Sequence, residues 1–169
     1  SAEEAKTGEA IKGAEVSGQI LDVNTGASEV LWRGTKVGGE HTGNVGIRSG
    51  EVAVDDGTIT GGSLTIDLTT IENFDLVGDM NARLVGHLKS EDFFHTEEHP
   101  NAVFEFVSAK SYSGETPEEG LKPTHEITGN LTMRGETKSI SFPAAVAIQD
   151  GMVSIQTNEF SVDRTKWGV

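Results

Sequence analysis

The chain has 169 residues and carries 27 Asp and Glu against 13 Lys and Arg, a formal net charge of −14. So acidic a surface is repelled by phosphate backbones and anionic headgroups, which argues against nucleic acid as a partner. There is no cysteine, hence no disulfide or thiolate chemistry, and no stretch reaches the roughly 18 apolar residues of a membrane helix.

The opening SAEEAKTGEAIKG, residues 1–13, reads as a flexible acidic tether ahead of one folded domain at 14–169. From there 21 glycines punctuate short segments rich in Val, Ile, Thr and Phe, the signature of many strands joined by turns. In SEVLWRGTKV, Val30 and Trp32 alternate with Glu29, Leu31 and Arg33. In GSLTIDL, Leu64, Ile66 and Leu68 oppose Thr65 and Asp67. In AVFEFVSAK, Phe104 and Phe106 oppose Val103, Glu105 and Val107, and in EITGNLTMR, Ile127, Leu131 and Met133 oppose Thr128, Asn130 and Thr132. This period of two gives each strand one buried and one wet face. Asp-Gly pairs at Asp56–Gly57 and Asp150–Gly151 mark hairpins. The single helical signal is SEDFF, where Ser90 suits a cap and Glu91 and Asp92 suit a first turn. The expectation is one antiparallel all-β domain with one short helix.

Three polar clusters invite chemistry. In HTEEH, His95 and His99 are four apart, but Thr96 stands where a zincin helix needs glutamate and Pro100 opposes helical geometry at His99. A solvated acidic turn is the reading there, with no metal. Asp75, Asp79 and Asn81 lack the ligand order of an EF-hand and read as a polar loop. Asn130-Leu131-Thr132 matches a glycosylation sequon but falls inside a strand. No GxSxG motif is present, so nothing places a histidine beside a nucleophile. The aromatic strand positions fit either a close-packed core or the lining of a barrel that holds one small ligand, and pattern leaves both open.

Together the blocks VLWRGTKVGGEHTGNVGI, GGSLTIDLTTIENFDL, LVGHLKSEDFFHTEEHPNAVFEF, ITGNLTMRGETKSISFP and FSVDRTKWGV resemble the YceI-like family of bacterial polyisoprenoid-binding proteins, in family order and from Ser28 onward. The resemblance implies an antiparallel lipocalin-like β-barrel of about eight strands. It implies an apolar interior that takes a long-chain isoprenoid or another apolar lipid, such as a quinone, with no cofactor and no catalysis. By motif position, Trp32, Phe93, Phe94, Phe104, Phe106, Met133, Phe142 and Phe160 line or bound that interior. His41, His87 and Arg164 make polar contacts at its mouth or hold a structural hydrogen-bond network. An alternative is a lipid-directed hydrolase or isomerase with His41 or His87 as base. Family members continue past the DRTKWGV block into a closing strand; a barrel lacking it has an open edge suited to a second copy. The acidic start resembles the tether of an exported lipoprotein, which implies a periplasmic, lipid-anchored protein.

Overall fold

The computed structural model describes residues 3–13, 17–36 and 39–169. In chain order these form β1 (Glu3–Glu4), β2 (Lys6–Glu9), β3 (Gln19–Asp22), β4 (Val30–Lys36), β5 (Gly39–Asp55), β6 (Thr58–Asn73), α1 (Gly78–Lys89), β7 (Asn101–Ser111), β8 (His125–Met133), β9 (Glu136–Gln149), β10 (Met152–Gln156), β11 (Phe160–Ser161) and a 3-10 turn at Arg164–Trp167. The main sheet runs β10-β9-β8-β7-β6-β5-β3, all antiparallel, with β4 also on β5 and β2 also on β9. Register shifts interrupt the long β5–β6 ladder at Asn44/Gly46, Ile47/Ser49 and Ala53/Val54. Bulges of this kind increase twist, and they curl the sheet toward closure as an antiparallel barrel. At the seam, Arg33 of β4 donates from Nε to Glu159 at 2.7 Å, linking one end of the sheet to the segment before β11. Both side chains are well exposed, so this ion pair sets geometry more than stability.

In β7, and at Ile127 and Met133 of β8, the alternation read from sequence is the alternation in space. Phe104 and Phe106 of β7 and Ile127 and Met133 of β8 are buried, while Glu105 is exposed. Both Asp-Gly pairs form turns with two consecutive positive φ angles, 53° and 73° at Asp56–Gly57 and 52° and 74° at Asp150–Gly151. Such turns match the right-handed twist of the strands they join. Arg134–Gly135 makes a third of the same kind.

Two expectations are corrected. The described part of the opening segment, residues 3–13, is not a free tether, and residues 1–2 lie outside the described residues: Lys6–Glu9 pairs antiparallel with Ser141–Lys138 of β9, and Glu3–Glu4 pairs with β11. A strand at a sheet edge is held by backbone hydrogen bonds, so polar side chains do not disqualify it. The chain then crosses the outer face, where Ile11 donates its N–H to Asn130 Oδ1 at 2.8 Å and accepts from Asn130 Nδ2 at 2.6 Å. Asn130, read as lying on a wet face, is thereby buried. Asn130→Ala strips both partners from Ile11, and we expect urea unfolding to show a loss of about 1–3 kcal/mol.

The second correction concerns the helix. SEDFF is not helical; α1 ends where SEDFF begins, and Ser90 is its C-cap, in extended geometry. The residues after it fold back onto the helix end. The N–H groups of Phe94 and Thr96 donate to the carbonyls of Leu88 and Lys89, and those of Phe93 and His95 to the carbonyl of Ser90. These bonds satisfy acceptors that a helix terminus leaves orphaned. HTEEH is a turn, with His95 in the left-handed region at φ 51° and His99 N–H bonded to the His95 carbonyl.

Candidate functional site

The interior face carries a continuous aromatic row. Phe104 and Phe106 alternate along β7 and meet edge-on at 5.0 Å; Phe104 meets Phe142 of β9 at 5.6 Å, and Phe142 stacks on Phe160 at 4.6 Å. The row exists because β8 between them offers a glycine. A Cβ at Gly129 would overlap the Phe104 ring, so the missing side chain is the space the ring fills. Met133 and the fully buried Ile127 belong to the same apolar cluster. Of the residues assigned to the interior from sequence, Phe104, Phe106, Met133 and Phe142 are buried there, while Phe160 is half-buried at the end of the row.

The others gather around α1, which lies between β6 and β7 in sequence and packs on β6. Trp32 packs over Gly43, where any Cβ would strike its ring, and its indole N–H donates to the carbonyls of Asn44 at 3.2 Å and Glu72 at 3.1 Å. Phe93 and Phe94, half-buried, meet edge-on at 5.7 Å beyond the helix C-terminus. His87 meets Phe93 at 5.6 Å, and the Arg164 guanidinium lies 4.6 Å from the same ring's centroid. Both polar side chains are exposed: they flank an aromatic residue, and neither forms a polar cluster with His41. Arg164 also donates to the Val169 carbonyl, and Arg134 to that of Phe93 at 2.7 Å.

His41 has a different setting. Its Nδ1 is 2.7 Å from Asp75 Oδ2, and Asp75 Oδ1 accepts from the Thr42 N–H at 2.8 Å and from Asn73 Nδ2 at 2.6 Å. Asn73 is buried and fully engaged: it accepts from Leu76 N–H, while Asn81 Nδ2 donates to the Asn73 and Leu76 carbonyls. The residues weighed for calcium are thus split. Asp75 and Asn81 brace the connection from β6 into α1, and Asp79 and Asn81 lie in the helix itself, correcting the polar-loop reading. Among the described residues, no group of three or more potential metal ligands gathers at binding distance.

The hydrogen bond from His41, followed by those from Thr42 and Asn73, outweighs partial desolvation and holds the Asp75 carboxyl at about 2, below its usual 3.8. A carboxylate depressed on folding contributes stability that is fully present above the usual value and is lost as pH falls toward 2. We therefore expect Asp75→Asn to lower the thermal midpoint at neutral pH but to narrow its gap from wild type between pH 4 and pH 2, as followed by circular dichroism.

Between α1 and β6 lies an open groove of about 510 Å³, lined by Ile71, Glu72, Asn73, Asn81, Ala82, Val85, Gly86 and Lys89. Its floor residue Ile71 is buried and part of the core cluster, so the groove abuts the apolar interior directly. Sequence reading missed this groove because it missed α1. The available signal was Leu84, Val85 and Leu88 on one helical face, diluted by Gly78, Asn81 and Gly86.

The chain is similar to several known proteins. A UPF0312 protein of Azotobacter vinelandii (strain DJ / ATCC BAA-1303) is 36% identical over 58 residues, which is 34% of this chain and 26% of that relative's length. The match thus spans about a quarter of the curated relative. The crystal structure of Burkholderia cenocepacia BcnA aligns over 63% of this chain and 60% of its own, at 22% identity and a TM-score of 0.43. The crystal structure of a mutant CJ YCEI protein with a monobromobimane guest aligns over 88% of this chain and 69% of its own, at 17% identity and a TM-score of 0.41. The family model described as YceI-like domain matches residues 21–169, so the chain belongs to the YceI-like family.

Proposed function

We propose that the protein binds a long apolar lipid, of the polyisoprenoid or quinone class, as a carrier or sequestering protein without chemistry of its own. The observation that carries this reading is the aromatic row Phe106–Phe104–Phe142–Phe160 on the interior face, with a groove at α1 whose floor, Ile71, joins the same core. A linear isoprenoid has little polar surface, and each methylene transferred from water contributes about 0.8 kcal/mol. An apolar wall with a few polar groups at its mouth is therefore sufficient for affinity. In this reading the lipid enters between α1 and β6, its tail runs along the aromatic row, and its head stays near the His41–Asp75 pair.

One observation favours the second reading, a lipid-directed hydrolase or isomerase. The His41 ring is oriented by a carboxylate that Asn73 orients in turn, the arrangement a general base requires. Titrating a quinone with an isoprenoid tail against tryptophan fluorescence tests the choice. Saturable quenching that weakens in Ile71→Asp, with the quinone recovered unchanged, supports a carrier. Turnover of an isoprenoid ester that disappears in His41→Ala would overturn it in favour of the enzyme.

A further inference from the structure

The apolar side chains about α1 divide into a covered set and an uncovered one. Leu84 and Leu88, four apart, share one side of the helix, and Val77 precedes it in extended geometry. Leu88 is 8% exposed and Leu84 is half-buried, but Val77, at the N-cap, is 84% exposed. Two further large apolar side chains stand beside it in the uncovered part: Phe74 in the connection from β6, 56% exposed, and Met80 in the first turn, 64% exposed. Phe74 follows Asn73, and Met80 precedes Asn81, both of which line the groove. The exposed trio thus neighbours groove residues along the chain and forms an apolar lip on the β6–α1 connection and the first turn of the helix.

We propose that this lip docks on the surface of a lipid bilayer with neutral headgroups, inserting Phe74, Val77 and Met80 so that the groove mouth faces the acyl chains. Two arguments select this occupant. Three side chains offer far less than the roughly 800 Å² that each partner gives up in a standard protein interface, whereas insertion into a bilayer has no such minimum. The net charge of −14, with Asp75 and Asp79 beside the lip, opposes anionic membranes and leaves neutral ones. The proposal deepens the carrier reading by giving it a place to load and unload, and rests on that reading only for its purpose.

The test is flotation of the ligand-free protein with phosphatidylcholine vesicles and, separately, with phosphatidylglycerol vesicles at low salt. The expected result is co-flotation with phosphatidylcholine, weaker association with phosphatidylglycerol, and a drop of at least about tenfold in the Phe74→Ser, Val77→Ser, Met80→Ser triple variant. The variant should keep its fold, because all three side chains face water and serine is a favoured N-cap residue at position 77. Val77→Ser alone should hold or raise the thermal midpoint while still weakening flotation, an outcome that misfolding would not produce. Wild-type protein that stays with neither vesicle, prefers the anionic one, or dimerises through the lip in sedimentation equilibrium overturns the proposal. Uptake of quinone delivered from cyclodextrin is scored separately, so failed docking and failed ligand binding are told apart.

Discussion

Replacing Phe104 with alanine is expected to lower the free energy of unfolding by about 3–5 kcal/mol, measured by urea denaturation. The ring is buried, touches Phe106 and Phe142, and fills the space above Gly129. Its removal therefore costs the transfer energy of the ring and leaves a cavity that β8, with hydrogen-bonded strands on both sides, is poorly placed to collapse into. The same variant speaks to function. If the row is a lipid-facing wall, loss of the ring removes apolar contact with the tail, and quinone uptake weakens in folded Phe104→Ala. A row that only fills the barrel would lose stability with no change in any uptake.

A comparable loss, again about 3–5 kcal/mol, is expected for Trp167→Ala. Trp167 is fully buried, and its indole N–H donates to the Leu131 carbonyl at 2.8 Å, so substitution removes a large apolar body and leaves an acceptor without its partner. The short 3-10 turn that carries it is set locally. Asp163 caps it by accepting from the Thr165 N–H, and Gly168, at φ 75°, ends it in a conformation that favours glycine. Trp167→Phe keeps most of the apolar bulk but not the donor, and is expected to recover more than half of the loss in the same denaturation.

How much of this was legible in the sequence follows from the range of the forces involved. Strand faces were readable because a period of two is local: Phe104 and Phe106, or Leu64, Ile66 and Leu68, announce their side without knowledge of a partner. The Asp-Gly turns were readable because positive φ is a property of the residues themselves. Asn130 was misread because the group that buries it, the Ile11 backbone, lies 119 positions away. The N-terminal strand was missed because edge pairing needs backbone alone. His41 was singled out through the resemblance and Asp75 as a possible calcium ligand, but their pairing across 34 positions had no local signature. Helix α1 was hidden by two glycines and an asparagine. With it went the groove and the exposed lip at Phe74, Val77 and Met80.

Native mass spectrometry of the purified protein, followed by solvent extraction and identification of whatever lipid is released, tests the central claim most directly. The account predicts a stoichiometric adduct that releases a polyisoprenoid or quinone species and is displaced by added quinone. A bare mass that stays unchanged after incubation with such lipids would contradict it, leaving the aromatic row as packing alone.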